Sequence, residues 1–305
     1  MTFNLLAKFE QAQSKEKELH SIFRGSVLGK LRYYPWRALV TKVLFKFMPN
    51  LQSSWVVKNT LFTGQDFYTE GYFMDYYLCG IIGEENETNL TKWMLKNIKD
   101  QEVFFDIGAH YGFYSLVVEA STQGASKIYS FEPTPSTRKI LLKNTKPFAN
   151  IQVVPKAVVE RSGERNLNVY TAGGKRGSNS FYAEEALSIT QSETKLESVP
   201  VETTTIDEFS SENSLRPTFI KLDIENAELD ALRGGMNILR TVRPKLAMEV
   251  WPGPNNSRHK EAAFLLLQLG YKLYELDSSG DENQIEDLEV WFEGVSKTEN
   301  LIGHF

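Results

Sequence analysis

VFFDIGAHYGFYSLVVEA, residues 103–120, followed by IYSFEP, residues 128–133, decides the fold. An apolar run from Val103 to Phe105 ends in Asp106 and reads as a buried strand. The glycines Gly108 and Gly112 make a tight turn, and a helix opens at about Phe113. A second strand, Ile128 to Phe131, closes on Glu132. A strand, a glycine turn, a helix and a strand ending in a carboxylate form a βαβ unit that can hold a nucleoside. Glycine lets the backbone approach a ligand, and the carboxylate can accept hydrogen bonds from both ribose hydroxyls. An ordinary crossover would need the turn but not Glu132 at the strand end.

The turn does not spell GxGxxG, and its glycines stand four apart with an acid two residues before the first. A pyrophosphate needs free N–H groups at a helix N-terminus, and Asp106 would repel it. The same carboxylate suits a ligand with a cationic amino-acid end. S-adenosylmethionine has that end together with ribose hydroxyls for Glu132.

The rest of the sequence supports an α/β architecture. The Pro135 helix, Ser136 to Asn144, follows Glu132. Ile151–Val154 and Ala157–Val159 read as one strand broken by Pro155. FIKL, 219–222, is an apolar strand ending at Asp223, with a helix expected through about Leu239. KLAMEV, 245–250, ends near Glu249, and SRHKEAAFLLLQLG, 257–270, is an amphipathic helix closed by Gly270. YKLYEL and VWFEGV are expected as the last two strands. Alternating strands and helices predict a doubly wound, mainly parallel sheet. Ligands of such sheets sit at the C-terminal strand ends, where Asp106, Glu132, Asp223 and Glu249 fall.

Two regions depart from this pattern. Residues 1–85 form an N-terminal extension, expected to be mainly helical and a possible cap over a substrate. Within it, 22–49 carries six basic and no acidic residues among aromatic ones, as a membrane- or glycan-facing surface or the basic face of a packed helix would. TGQDFYTEGYFMDYY, 63–77, offers a hairpin or an aromatic wall. The second departure is an insertion at about 160–205 inside the domain 86–305: LNVYTAGG and SVPVETTTIDEF as strands around a loop, GGKRGSNS, 173–180. Tyr68, Tyr72, Tyr76 and Tyr77 could stack on an acceptor, and Lys175, Arg176 and Asn179 could hydrogen-bond its polar groups.

Composition bounds the partners. A net charge of -5 over 305 residues gives no reason to expect nucleic acid. One cysteine excludes an internal disulfide framework and fits a reducing cytosol, so a cytoplasmic location is expected. Four scattered histidines give no metal site. No apolar run reaches membrane-spanning length, which leaves peripheral contact as the conceivable membrane association. Nothing here sets the oligomeric state.

The motifs DIGAHYGFYS, YSFEP, TIDEF, FIKLDIENAELDALRGG and RPKLAMEV together resemble the FkbM family of S-adenosylmethionine-dependent methyltransferases, over roughly Glu87 to Val295. The resemblance implies a class I methyltransferase fold, Rossmann-like, with a seven-stranded sheet whose last strand is antiparallel. It also implies that Glu87, nineteen positions before Asp106, matches an acidic family position. Asp106, Gly108, His110 and Gly112 would line the methionine end of the cofactor, Glu132 its ribose, and Ala157 and Val158 the adenine. Asp223 would face the transferring methyl. The family usually has Asn at His110 and Gly at Asn226. For the chemistry, Asp223 is the first candidate base, with Glu249 and His259 secondary and His259 expected to be solvated. The acceptor would be a small molecule, a glycan or a peptide-derived compound. O-methylation of a hydroxyl comes first, ahead of amide N-methylation, carboxylate methylation or a non-catalytic cofactor-binding role.

Overall fold

The computed structural model describes residues 2–25, 55–71, 77, 79–170, 179–181, 196–251 and 257–305. Two compact units result, Met1–Thr88 and Asn89–Phe305.

In the first unit, α1 (Thr2–Gly25) has no proline, and glycine only at its end. It buries Leu5, Phe9 and Leu19, and Phe9 meets Phe62 edge-on at 5.1 Å. Strands β1 (Val56–Thr60) and β2 (Asp66–Glu70) form an antiparallel hairpin, with Lys58 paired to Asp66 at 2.7 Å across it. Helix α2 (Glu85–Asn97) carries the chain to the second unit, starting four residues earlier than Asn89.

The second unit is built on β3 (Val103–Ile107), β4 (Lys127–Phe131), β5 (Ile151–Val154), β9 (Phe219–Leu222), β10 (Lys245–Val250), β11 (Lys272–Leu276), β12 (Glu282–Gln284) and β13 (Glu299–His304). Their order across the sheet is β12-β11-β13-β10-β9-β3-β4-β5. The five strands from β10 to β5 are parallel, and β13 runs antiparallel between β10 and β11. This is the expected seven-stranded sheet with its reversed last strand, extended at one edge by the short β12. The chain leaves β3 toward β4 and returns to β9 on the other side, so the sheet's switch point lies between β3 and β9. Below it, Phe105, Phe131, Phe209 and Tyr129 pack as edge-to-face pairs at 4.9–5.7 Å, each worth about 0.5–1.5 kcal/mol beyond area burial.

A second sheet of order β6-β8-β7 comprises β6 (Ala157–Val158), β7 (Gly163–Tyr170) and β8 (Leu196–Thr204). Pro155, expected to break one strand, separates two sheets: β5 pairs with β4, and β6 pairs with β8. TIDEF is not a strand. Thr205 caps a helix, α5 (Ile206–Glu212), by accepting from the Glu208 N–H at 2.9 Å. Asp207 there accepts from the N–H groups of Asn237 and Ile238, so it holds a neighbouring helix start.

The remaining helices are α3 (Phe113–Thr122), α4 (Pro135–Thr145), α6 (Glu228–Arg233), α7 (Met236–Thr241), α8 (Ser257–Gln268) and α9 (Leu288–Gly294). The single helix expected through Leu239 is split into α6 and α7 at Gly234–Gly235. A Cβ on Gly234 would stand 2.2 Å from the Val159 carbonyl oxygen, so a close backbone approach fixes the break. VWFEGV, expected as the last strand, is helical. Asp287 caps it through the Val290 N–H, Leu288 and Phe292 face the core, and the Trp291 indole donates to Glu275. The true last strand is β13.

Candidate active site

The strand ends of β3, β4 and β9 bring the expected carboxylates together. Asp106 is cross-strand partner to Ser130 on β4 and to Lys221 on β9. It is 1% exposed. Its Oδ2 accepts from the Ser115 N–H at 3.0 Å and the Ser115 hydroxyl at 2.6 Å, and that hydroxyl also meets Ser130 at 2.7 Å. Oδ1 is buried and has no partner among the described residues. Burial pushes the Asp106 carboxyl up, against the Lys221 ammonium and the Ser115 bonds, which pull it down.

The glycine turn is set by close packing. The N–H groups of Gly108 and Ala109 both donate to the Phe131 carbonyl, at 3.1 and 2.9 Å. Gly108 sits at φ +82°, and a Cβ there would lie 1.8 Å from the Asp223 carbonyl oxygen. Gly108→Ala should therefore lower stability by about 2–3 kcal/mol in urea unfolding, because two strand ends must separate. A change below about 1 kcal/mol would show that the turn absorbs the methyl. Gly112, at φ +88°, starts α3 against Leu141.

Glu132 is tied to this turn. Its Oε1 accepts from the Thr134 N–H at 2.8 Å and its Oε2 from the His110 N–H at 3.2 Å. Burial nonetheless pushes its carboxyl up to about 7. His110 takes the left-handed conformation, φ +51°, and its ring lies 3.8 Å from that of Tyr111. Burial holds its imidazole down at about 4, so it is neutral at pH 7.

On β9, Lys221 is 2% exposed, a position sequence reasoning passed over. Its ammonium lies over the Tyr114 ring at 4.8 Å and donates to Asp223 Oδ2 at 2.8 Å. A buried lysine needs such partners. The signal was present, since FIKL is a short central strand in which the one cation must be buried. Asp223 is more open, with a side chain 29% exposed. The chain then turns through two left-handed residues, Glu225 at φ +55° and Asn226 at φ +75°, the second being the position where the family usually has glycine.

His259 is placed differently from expectation, while Glu249 stands near the end of its strand as expected. His259 is 1% exposed rather than solvated. Its Nδ1 accepts from the Trp251 N–H at 3.1 Å, which puts the proton on Nε2, 3.0 Å from Glu228 Oε2. Glu228 Oε1 in turn accepts from the Ile224 N–H at 2.8 Å. Both nitrogens of His259 are engaged, and through Glu228 it supports the turn after Asp223. Glu249 lies on β10, where its Oε2 accepts from the Trp251 indole at 2.8 Å.

Ala157 and Val158 are buried in β6, each within an apolar cluster. Glu87 is buried in the first turn of α2, in the first unit, and accepts from the Asn86 side chain at 3.2 Å. Asn179 donates to the Thr134 hydroxyl at 3.1 Å. Tyr68 lies on β2 and Tyr77 is buried against Phe67. Tyr72, Tyr76, Lys175 and Arg176 lie outside the described residues. So does most of the basic stretch 22–49. Among the described residues no cluster of three His, Cys, Asp or Glu side chains could hold a metal, and no helix is long and apolar enough to cross a membrane.

The residues fit S-adenosylmethionine. Asp106 Oδ1 is a buried acceptor awaiting a donor, which an ammonium would supply. Glu132 has spare lone pairs on two oxygens, which ribose hydroxyls would use, and burial still outweighs the groups that favour its charge. A parallel sheet of this order, with an acid-flanked glycine turn and a ribose-type carboxylate at its switch point, defines a class I methyltransferase domain. The profile of the "Methyltransferase FkbM domain" family matches residues 106–273, more than half of the chain. The chain belongs to this family, and S-adenosylmethionine is its methyl donor.

Among solved structures, the chain is similar to the FkbM methyltransferase of Methylobacillus flagellatus, with 16% identity, 88% of this chain covered and a TM-score of 0.45. It spans 60% of that protein's length. It is also similar to a precorrin-6y C5,15-methyltransferase of Geobacter metallireducens (11% identity, 72% of this chain and 87% of that one, TM-score 0.41). A third likeness is to Aeropyrum pernix fibrillarin with natively bound S-adenosyl-L-methionine (10%, 71% and 74%, TM-score 0.40). No curated protein matches the chain.

Proposed function

We propose that this protein methylates a hydroxyl oxygen of a sugar, a glycan or another natural product. The observation that carries the reading is the partly exposed carboxylate of Asp223 at the switch point, anchored through one oxygen to a buried lysine. Bound S-adenosylmethionine supplies a methyl group on a sulfonium, a carbon that already bears a good leaving group. The protein then needs to align the acceptor and take its proton.

Each residue has one task in this reading. Glu132 accepts from the ribose hydroxyls, and the Asp106 Oδ1 accepts from the ammonium. Gly108, His110 and Gly112 shape the turn beneath the methionine end, and Ala157 and Val158 border the adenine. Lys221 holds Asp223 Oδ2, which leaves Oδ1 to receive the hydroxyl proton. The reaction takes place in the cytoplasm. Glu249 is a reserve carboxylate beside this end of β10.

The ion pair also favours a second reading, in which Asp223 itself holds the cofactor's ammonium. Metabolites and glycans from cells with and without the gene, compared by mass spectrometry, identify the acceptor as a compound one methylene lighter when the gene is absent. With that acceptor, Asp223→Asn should lower turnover about a hundredfold while S-adenosylhomocysteine affinity stays within about threefold. A collapse of that affinity would assign Asp223 to the cofactor shell, and unchanged turnover would remove it from the reaction.

A further inference from the structure

Asn179 and Ser180 are two consecutive residues whose side chains reach opposite sides of the candidate site. The Asn179 amide donates to Thr134 Oγ1 at 3.1 Å, in the turn after β4. The N–H of that same Thr134 donates to Glu132 Oε1 at 2.8 Å. The Ser180 hydroxyl donates to the Glu225 carbonyl at 2.6 Å, two residues after Asp223 and in the left-handed turn that follows β9. Strands β4 and β9 flank β3 in the sheet. The dipeptide therefore crosses the C-terminal end of β3, above the glycine turn.

It is also fastened to the insertion. Ser180 exchanges both backbone hydrogen bonds with Asn168 of β7, each at 3.1 Å. Phe181 packs on the apolar face of the β6-β8-β7 sheet, beneath the Arg165 guanidinium at 4.5 Å. Arg165 faces Asp230 at 3.7 Å, and Arg258 bonds both Asp230, at 2.8 Å, and the Asn226 carbonyl, at 3.0 Å. Polar contacts from β7 and its neighbours thus converge on the two turns that carry Glu132 and Asp223.

We propose that Asn179 and Ser180 are positioning residues that couple occupancy of the cofactor site to the order of the β6-β8-β7 sheet. This rests on the proposed placement of the ribose at Glu132. A ribose bound there fixes the Glu132 carboxylate, and with it the Thr134 turn whose hydroxyl Asn179 grips. Coupling of this kind is reciprocal, so loosening the dipeptide also removes the response of that sheet to the cofactor.

Hydrogen exchange read by mass spectrometry on peptides covering 163–170 and 196–204 tests this, with saturating S-adenosylhomocysteine and calorimetry as a separate check of binding. In the wild-type protein the ligand should slow exchange in both peptides about tenfold or more. In Asn179→Ala/Ser180→Ala it should bind and yet change exchange less than about twofold, while Ser180→Thr, which keeps the hydroxyl, retains the response. Should the double variant fail to fold, Asn179→Ala alone must show a reduced response, and a full response overturns the proposal. Equal slowing in the wild-type and double variant overturns it, as does binding without any slowing in the wild type. Absence of binding to the wild type would instead overturn the cofactor placement on which the coupling rests.

Discussion

Glu132→Ala should weaken binding of S-adenosylhomocysteine by at least about a hundredfold. The variant loses two charge-assisted hydrogen bonds from ribose hydroxyls, about 1.5–3 kcal/mol each. The wild-type protein adds a pH signature that alanine removes. Burial pushes the Glu132 carboxyl up to about 7, whereas two hydroxyl donors would favour the ionised form and bring it down. Below pH 7 the ligand must displace a proton, so affinity should fall about tenfold per unit, and above pH 7 it should level off. Calorimetry across pH 5.5–8.5 reads both. A pH-independent affinity, or an alanine variant within threefold of wild type, contradicts the ribose assignment.

Stability is a poorer gauge of the same group, because its neighbour opposes it. Glu132 is raised on folding, so the folded protein gains stability as pH falls from about 7 toward the ordinary glutamate range. His110 is lowered to about 4, so stability is lost as pH falls from its ordinary value of 6.5. The two slopes largely cancel between about 4.5 and 6.5. Glu132→Gln should remove the Glu132 contribution and make the protein more sensitive to acid than the wild type.

Lys221→Met should destabilise the second unit by about 3–5 kcal/mol, more than a surface substitution would. The methionine fills most of the volume but leaves Asp106 and Asp223 facing one another's charge without the ammonium between them. Asp106 is 1% exposed, and Lys221 is the first of the influences that offset its burial. Asp223→Asn added to the same chain should recover part of the loss, because it removes one of the two carboxylates. Urea unfolding of the single and double variants checks this. A loss below about 1 kcal/mol, or no recovery in the double variant, would mean that Lys221 is not the counter-charge of the site.

The parts of this molecule that could be read in advance are those in which local chemistry and burial agree. DIGAHYG is strand, turn and helix start in sequence and structure alike, since Gly108 and Gly112 take left-handed values that other residues resist. Asp106, Glu132 and Asp223 stand at the ends of apolar runs that could be only strands. TIDEF misled because its apolar spacing suits a strand, and the Thr205 cap that makes it helical works through one side-chain bond to Glu208. VWFEGV misled for the same reason, its β-prone residues being overruled by the Asp287 cap. The His259–Glu228 pair lay hidden because their contact spans thirty-one positions and rests on how α6 and α8 pack. The second sheet went unseen because Ala157–Val158, two residues long, finds its partner only through the distant β8.

A crystal structure of the complex with S-adenosylhomocysteine is the most direct test of the site at the ends of β3, β4 and β9. Both ribose hydroxyls should lie within hydrogen-bond distance of Glu132, with the ammonium on Asp106 Oδ1 and the sulfur turned toward Asp223. A ligand seated elsewhere, or a ribose that leaves Glu132 without a hydroxyl partner, would contradict it.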